Sequence, residues 1–162
     1  MEIIYKIEKP EKFTVQDKDG FLDLLKQGGK VYNPTLESIE RCSLLCLCII
    51  DDKVISIGAI KPKTDSDFNT NKANLGNLRN DFDFELGYCC TLPQYTRQGH
   101  SSKIVKLLLD KSEDINLMAS TELRANNSMR RILENNGFKQ DGKPWKSSMP
   151  HGGALGLFLK FV

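Results

Sequence analysis

The sequence predicts a mixed α/β (α+β) fold, with a largely antiparallel central sheet of six to seven strands flanked by about four helices. Three observations predict it. Two apolar runs, "SLLCLCII" and "VISIGAIK", are separated only by Asp51-Asp52-Lys53, the pattern of a hairpin. From Asp81, "DFDFELGYCCTL" alternates apolar and polar residues with a period of two. Segments with helical spacing of apolar residues, such as Ile104, Leu107 and Leu108, fall between the strand-like runs.

Taken in order, residues 2–8 read as a short strand. "DGFLDLLKQGGK" reads as a helix with Phe21, Leu24 and Leu25 on one face and Gly28-Gly29 as its stop. "NPTLESIERC" gives a second short helix, with Thr35 as its cap and Glu37 and Ser38 in the first turn. The hairpin follows. From Pro62 to Asp81 the chain is polar and rich in Asn and lacks either period, so a long loop, functional or mobile, is expected. In the next strand Phe82, Phe84, Leu86 and Tyr88 point one way, and Asp81, Asp83, Glu85 and Gly87 the other.

A helix is expected after residue 99, with Ile104, Val105, Leu107, Leu108 and Leu109 forming its stripe. "INLMAST" is the next strand. "NNSMRRILENNGF" is a helix with Met129, Ile132 and Leu133 facing inward, capped by Asn126 and stopped at Asn136-Gly137. "DGKPWKSSMPHGG" reads as a loop before a last strand, "ALGLFLKFV".

At 162 residues the chain is long enough for one sizeable core, so a single domain spanning residues 1–162 is expected. Lys and Arg number 23 against 21 Asp and Glu, a balance that gives no global footprint for nucleic acid or an anionic membrane. Neither partner is expected. The longest apolar run, Leu44 to Ile50, is far below the roughly 20 residues that cross a bilayer. The first ten residues carry both charges and no long apolar stretch, which points to a cytoplasmic protein. Five cysteines, no C-x-x-C pair and two histidines, His100 and His151, argue against a structural zinc site, and no metal is expected.

The chemistry concentrates in "LPQYTRQGHSSKIVKLLL", residues 92–109, where a strand ends in a polar loop that opens a helix. Free backbone N–H groups and about half a positive charge gather at such a helix start, which suits phosphate. Gly99 permits close approach or a positive φ. Arg97, His100 and Lys103 add positive charge, and Ser101 and Ser102 add hydroxyls. The plainer alternative is a strand–loop–helix connection with solvated basic residues. Two common nucleotide motifs do not match: His100 follows Gly99 where a P-loop needs Lys-Ser or Lys-Thr, and a dinucleotide fingerprint needs three glycines.

These residues resemble the GCN5-related N-acetyltransferase (GNAT) superfamily. The likeness runs from residue 44 to 162 through "ELGYCCTLPQYTRQGHSSKI", "NNSMRRILENNGF" and "GKPWKSS"; residues 1–43 share only the element order. The family loop reads Gln/Arg-x-x-Gly-x-Gly/Ala and cradles the pyrophosphate of acetyl-CoA. Aligned on Gly99, its first position falls on Thr96 and its last on Ser101, and both depart from the pattern. In the family's Asn-x-x-Ser…Gly-Phe block, Asn126 matches and Met129 replaces Ser. Leu133 stands where many members carry the Tyr that protonates the leaving thiolate.

The resemblance implies an acetyl-CoA-dependent N-acetyltransferase with the acyl-CoA as co-substrate and a primary amine of a small molecule or peptide as acceptor. It implies cofactor contacts from Cys90, Thr91 and Leu92 at the strand end, from Thr96, Arg97, Gln98, Gly99, His100, Ser101 and Ser102, and from Asn126 and Met129. Glu85, six residues before Thr91, is the expected base, and a backbone N–H near Cys90 or Thr91 the expected donor to the carbonyl oxygen. Cys89 or Cys90 as an acetylated nucleophile is the alternative chemistry. The 62–81 and 142–154 loops and the N-terminal helices are expected to choose the acceptor, with Trp145 as a lid or anchor and His151 on the surface. Members of the family often dimerise, so a homodimer is among the expected assemblies. An acyl-CoA-binding module without turnover is the alternative function.

Overall fold

The computed structural model describes residues 1–125 and 127–162; Asn126, expected to cap a helix and bind the cofactor, lies outside the described residues. Seven strands form one sheet in the order β1-β2-β3-β4-β5-β7-β6. These are β1 (Ile3–Glu8), β2 (Leu44–Ile50), β3 (Lys53–Pro62), β4 (Phe84–Thr91), β5 (Leu117–Glu122), β6 (Lys139–Lys146) and β7 (Ala154–Lys160). The α-helices among the described residues are α1 (Val15–Gly28), α2 (Leu36–Glu40), α3 (His100–Asp110) and α4 (Ser128–Asn135). The β1–β2, β2–β3, β5–β7 and β6–β7 ladders are antiparallel, and β4–β5 is parallel at Phe84↔Leu117 and Glu85↔Met118. The expected sheet is therefore present, with its full complement of seven strands.

By packing, the chain divides into two compact units: Met1–Lys61 with Leu86–Ser112, and Pro62–Glu85 with Glu113–Val162. In the first unit the hairpin turns on Asp51 and Asp52, both left-handed (φ 49° and 65°), as a two-residue turn between twisted strands requires. Phe21, Leu24 and Leu25 of α1, Ile39 of α2, Leu45, Leu47 and Ile57 of the hairpin, and Ile104, Val105 and Leu108 of α3 are all buried. Helix α1 begins earlier than its apolar stripe. Thr14 caps it by accepting from the N–H of Asp17, and the polar first turn carries no periodic signal. At α2 the cap is reciprocal, Thr35 Oγ1 accepting from Ser38 N–H and Ser38 Oγ from Thr35 N–H. Gly58 lets α3 lie close on β3: a Cβ there would come within 2.7 Å of Ile104 Cγ2.

The second unit corrects two expectations. Residues 62–81 are not a loose polar loop, because two 3₁₀ turns (Asp65–Phe68 and Gly76–Asp81) press Phe68 and Ala73 into a core with Phe82, Met118, Leu157 and Leu159. Leu75, Leu78 and Trp145 pack against that core, so Trp145 is an anchor. Charge holds the outside of the segment: Lys63 Nζ lies 3.3 Å from Asp65, Arg79 Nε 3.6 Å from the same carboxylate, and Lys72 Nζ 3.5 Å from Asp67. The region read as a loop from residue 141 contains most of β6, an exposed strand whose polar residues carry no alternation. Its pairing with β7 is interrupted between Asp141 and Trp145, where Gly142 has φ 72° and Pro144 lacks an N–H.

Candidate functional site

Strand β4 ends where Leu92, buried, donates its N–H to Ile55 O at 2.9 Å. A single 3₁₀ turn, Pro93–Tyr95, follows, and Thr96 Oγ1 donates back to Pro93 O at 2.9 Å. Gln98 Nε2 donates to Gln94 O at 3.4 Å. Arg97 (φ 61°) and Gly99 (φ 85°) are both left-handed, and the step from left-handed Gly99 into helical His100 makes a concave row of N–H groups that suits an anion. Nothing lies within 4 Å of a Cβ built on Gly99, so its glycine is required for φ and not for space.

The other three α-helices are closed by the side chains of Thr14, Thr35 and Asn127, whereas α3 has no side-chain cap. Its first N–H groups therefore keep the unpaired, positive character of a helix start. No acidic residue stands in that first turn, and Arg97, Gln98, Ser102 and Lys103 are exposed around it.

Two side chains are committed elsewhere than expected. His100 does not reach the exposed loop: it is 6% exposed, and its Nδ1 lies 2.7 Å from Tyr5 Oη and 3.6 Å from Cys48 Sγ. Ser101 Oγ lies 2.8 Å from Thr91 Oγ1, which lies 2.6 Å from Ser56 Oγ. That hydroxyl chain ties the start of α3 to the end of β4 and to β3.

Strand β4 carries a feature that the alternation conceals. Tyr88 is left-handed (φ 56°), an outlier for a bulky residue and the mark of a kinked strand. Its ring meets Phe21 edge-on at 6.4 Å, and Lys61 Nζ sits 5.4 Å from the ring centroid. Beyond it, Cys90 Sγ lies 3.8 Å from Leu24 O, and burial pushes its thiol pKa up despite the opposing influence of Lys30 and the Thr91 backbone. A thiol so placed is a poor thiolate nucleophile.

In the second unit, Glu85 is 8% exposed, unlike the exposed Asp81 and Asp83 that precede the strand. Its Oε1 accepts from Thr64 N–H at 2.8 Å and Thr64 Oγ1 at 2.7 Å. Thr64 belongs to the polar segment 62–81, where no local pattern marks it as a partner. At α4 the cap is Asn127, one residue later than expected: its Oδ1 accepts from Met129 N–H at 2.9 Å, and its Nδ2 donates to Thr121 Oγ1 and Glu122 O. Met129 is half-buried in the first turn, Leu133 is 1% exposed, and His151 is exposed. Among the described residues no three His, Cys, Asp or Glu side chains gather as a metal site, and no helix is long and apolar enough to cross a membrane.

No protein-family profile matches the chain, and no curated protein matches it in sequence. Solved structures do match over nearly the whole length. Escherichia coli ElaA superposes with a TM-score of 0.70 at 9% identity, covering 99% of this chain and 100% of that one. A GNAT-family acetyltransferase from Streptococcus pneumoniae gives 0.68 at 13% identity, covering 99% of each chain. The ribosomal-protein-S18-alanine N-acetyltransferase of Escherichia coli gives 0.65 at 14%, covering 97% and 93%. At this level of identity the likeness is one of architecture, and the chain has the fold of the GCN5-related N-acetyltransferase superfamily.

Proposed function

We propose that the protein is an acetyl-CoA-dependent N-acetyltransferase that moves the acetyl group to a primary amine of a small molecule or peptide by direct attack in a ternary complex. The observation that carries this reading is the loop from Leu92 to Ser102, where left-handed Arg97 and Gly99 open an uncapped helix. Those amides, with Arg97, would hold the diphosphate of the co-substrate. Acetyl-CoA would supply the activated thioester. Met129 at the start of α4, together with Asn126 in sequence, would serve the pantetheine arm.

Glu85 is the proposed proton acceptor that frees the acceptor amine from its ammonium form, directly or through water, since a free alkylamine with a pKa of ~10.4 is mostly protonated at neutral pH. The neutral amine then attacks and CoA leaves as the thiolate, to be protonated by water. The hydrogen bonds from Thr64 to the Glu85 carboxylate support that reading by fixing the side chain. A backbone N–H near Cys90 or Thr91 would face the carbonyl oxygen as charge develops. The raised Cys90 thiol favours direct attack over an acetyl-cysteine intermediate. A second reading, an acyl-CoA-binding module without turnover, draws on Leu133: buried and apolar, it offers no proton to a leaving thiolate.

Calorimetric titration with acetyl-CoA, CoA and ADP, followed by an amine screen, separates the readings. Binding of CoA well above ADP with turnover supports the enzyme; the same binding without turnover on any amine supports the module. No binding by folded protein removes both.

A further inference from the structure

We propose that Tyr5 and His100 position the start of α3, and with it the phosphate-facing loop, through a hydrogen bond from the Tyr5 hydroxyl to His100 Nδ1 that holds the imidazole as its Nε2–H tautomer. The role rests on the proposed function, because the backbone it fixes is the one assigned to the diphosphate.

The register of the sheet brings the parts together. Tyr5 and Cys48 are opposite each other across the β1–β2 ladder, so both side chains leave the same face of the sheet. Helix α3 packs on that face. His100, its first residue, points into the sheet while Gly99 before it and Ser102 after it are exposed. Tyr5 Oη at 2.7 Å and Cys48 Sγ at 3.6 Å converge on the same ring nitrogen.

Both converging groups carry their protons at neutral pH. Burial, with a hydrogen bond to Cys48, pushes the Tyr5 hydroxyl up to about 12, and burial raises the Cys48 thiol against that same hydrogen bond. Tyr5 and Cys48 also hydrogen-bond each other, so the 2.7 Å Tyr5 contact is the decisive one: protonated Tyr5 donating to Nδ1 leaves the ring proton on Nε2. Nearby among the described residues are Cys46, whose thiol is pushed up to about 12, Tyr95, whose ring centre lies 6.4 Å from that of His100, and Lys103, whose Nζ sits 5.9 Å from the Tyr5 ring.

A buried imidazole is costly unless its orientation is fixed, and an apolar side chain would fill the same space without directional demand. The histidine therefore contributes direction. Its ring is held from β1, and the ring in turn holds the backbone N–H that follows Gly99. Tyr5 and His100 are positioning residues: they act through the peptide that would meet the ligand.

The test combines ¹⁵N-histidine NMR with calorimetric titration of CoA and ADP, on wild type, Tyr5→Phe, His100→Asn and His100→Leu. Exposed His151 serves as the spectral reference. The expected wild-type spectrum shows His100 protonated at Nε2 with Nδ1 unprotonated, and Tyr5→Phe shifts the Nδ1 resonance. CoA affinity falls roughly three- to tenfold in Tyr5→Phe and in His100→Leu, with both still folded. His100→Asn, whose Oδ1 can accept the same hydrogen bond, recovers most of the loss. An Nδ1–H tautomer in wild type overturns the proposal, as does equal CoA affinity in wild type, Tyr5→Phe and His100→Leu. If wild type binds neither CoA nor ADP, the acyl-CoA reading falls and the positioning role with it; equal binding across the variants removes only the role of Tyr5 and His100.

Discussion

Glu85 and Thr64 form a two-point clamp: one carboxylate oxygen accepts both the backbone N–H and the hydroxyl of the threonine, at 2.8 and 2.7 Å. The clamp ties the 62–81 segment to β4 and fixes the carboxylate, which the proposed function would use as a base. Two measurements separate these uses. Glu85→Gln is expected to lower turnover by roughly 10²-fold while leaving CoA affinity nearly intact. Thr64→Val, which removes one donor and keeps the N–H, should cost much less. Were Glu85 only an anchor, Glu85→Gln would lower the unfolding midpoint and leave kcat where it was.

Gly99 offers a cleaner separation of strain from charge. Its φ of 85° with open space around the missing Cβ predicts that Gly99→Ala costs only the left-handed penalty, about 1–2 kcal/mol, read by denaturant unfolding. Gly99→Glu carries the same penalty, partly offset by a carboxylate at the positive end of α3. That carboxylate also competes with the ligand. The expected result is two variants of similar stability, of which Ala binds CoA weakly and Glu does not bind it. Wild-type affinity in Gly99→Glu would detach the loop from the site.

How far these features were legible in sequence depends on whether their cause is local. Gly99 and the helix that follows it are marked by spacing within about ten residues, as are the Thr35 cap and the Asp51-Asp52 turn. The Glu85–Thr64, Tyr5–His100 and Ser56–Thr91 contacts join residues 21, 95 and 35 positions apart, and nothing near either partner announces the other. Tyr88 shows the same limit in the backbone: a clean alternation predicts a regular strand, and nothing in that pattern marks the left-handed residue inside it. Strand β6 carries no sequence signal because an exposed strand has no buried face to impose a pattern.

The hydroxyl chain from Ser56 through Thr91 to Ser101 is expected to be costly to interrupt. Ser56 is 0% exposed, and among the described residues its hydroxyl without Thr91 Oγ1 retains only the 3.4 Å contact with Cys90 O. Thr91→Val preserves shape and removes the central hydroxyl, which should cost about 1–3 kcal/mol of stability. Thr91→Ser, which keeps the hydroxyl, should recover most of it. Equal denaturation midpoints for Val and wild type would mean that the chain contributes nothing net.

Alkaline pH probes the face on which α3 packs. Cys46, wholly buried in β2, has its thiol pushed from 9.0 to about 12 by burial, with Cys48 adding to the shift. The unfolded chain loses this proton first, so the stabilisation is complete below about pH 9 and is lost as pH rises toward 12. In that window the slope is about 1.4 kcal/mol per pH unit for the one group. Urea midpoints from pH 8 to 11 should fall, and Cys46→Ala should fall less steeply. A flat wild-type profile would show that Cys46 is not shielded.

Phe68 decides what the 62–81 segment is. A mobile substrate lid would tolerate truncation of one side chain, whereas a core element would not. Phe68 is 0% exposed and stacks on Phe82 at 5.8 Å between ring centres, within the cluster that also holds Met118 and Leu157. Phe68→Ala is therefore expected to cost about 3–5 kcal/mol, the range for deleting a fully buried aromatic ring. Limited proteolysis supplies the second reading, since a segment tied to the core opens only when the core does. Wild type should resist cleavage between residues 62 and 81, and Phe68→Ala should be cut there in step with its loss of stability. Early cleavage of wild type within those residues, with the rest of the chain intact, would return the segment to the role of a loop.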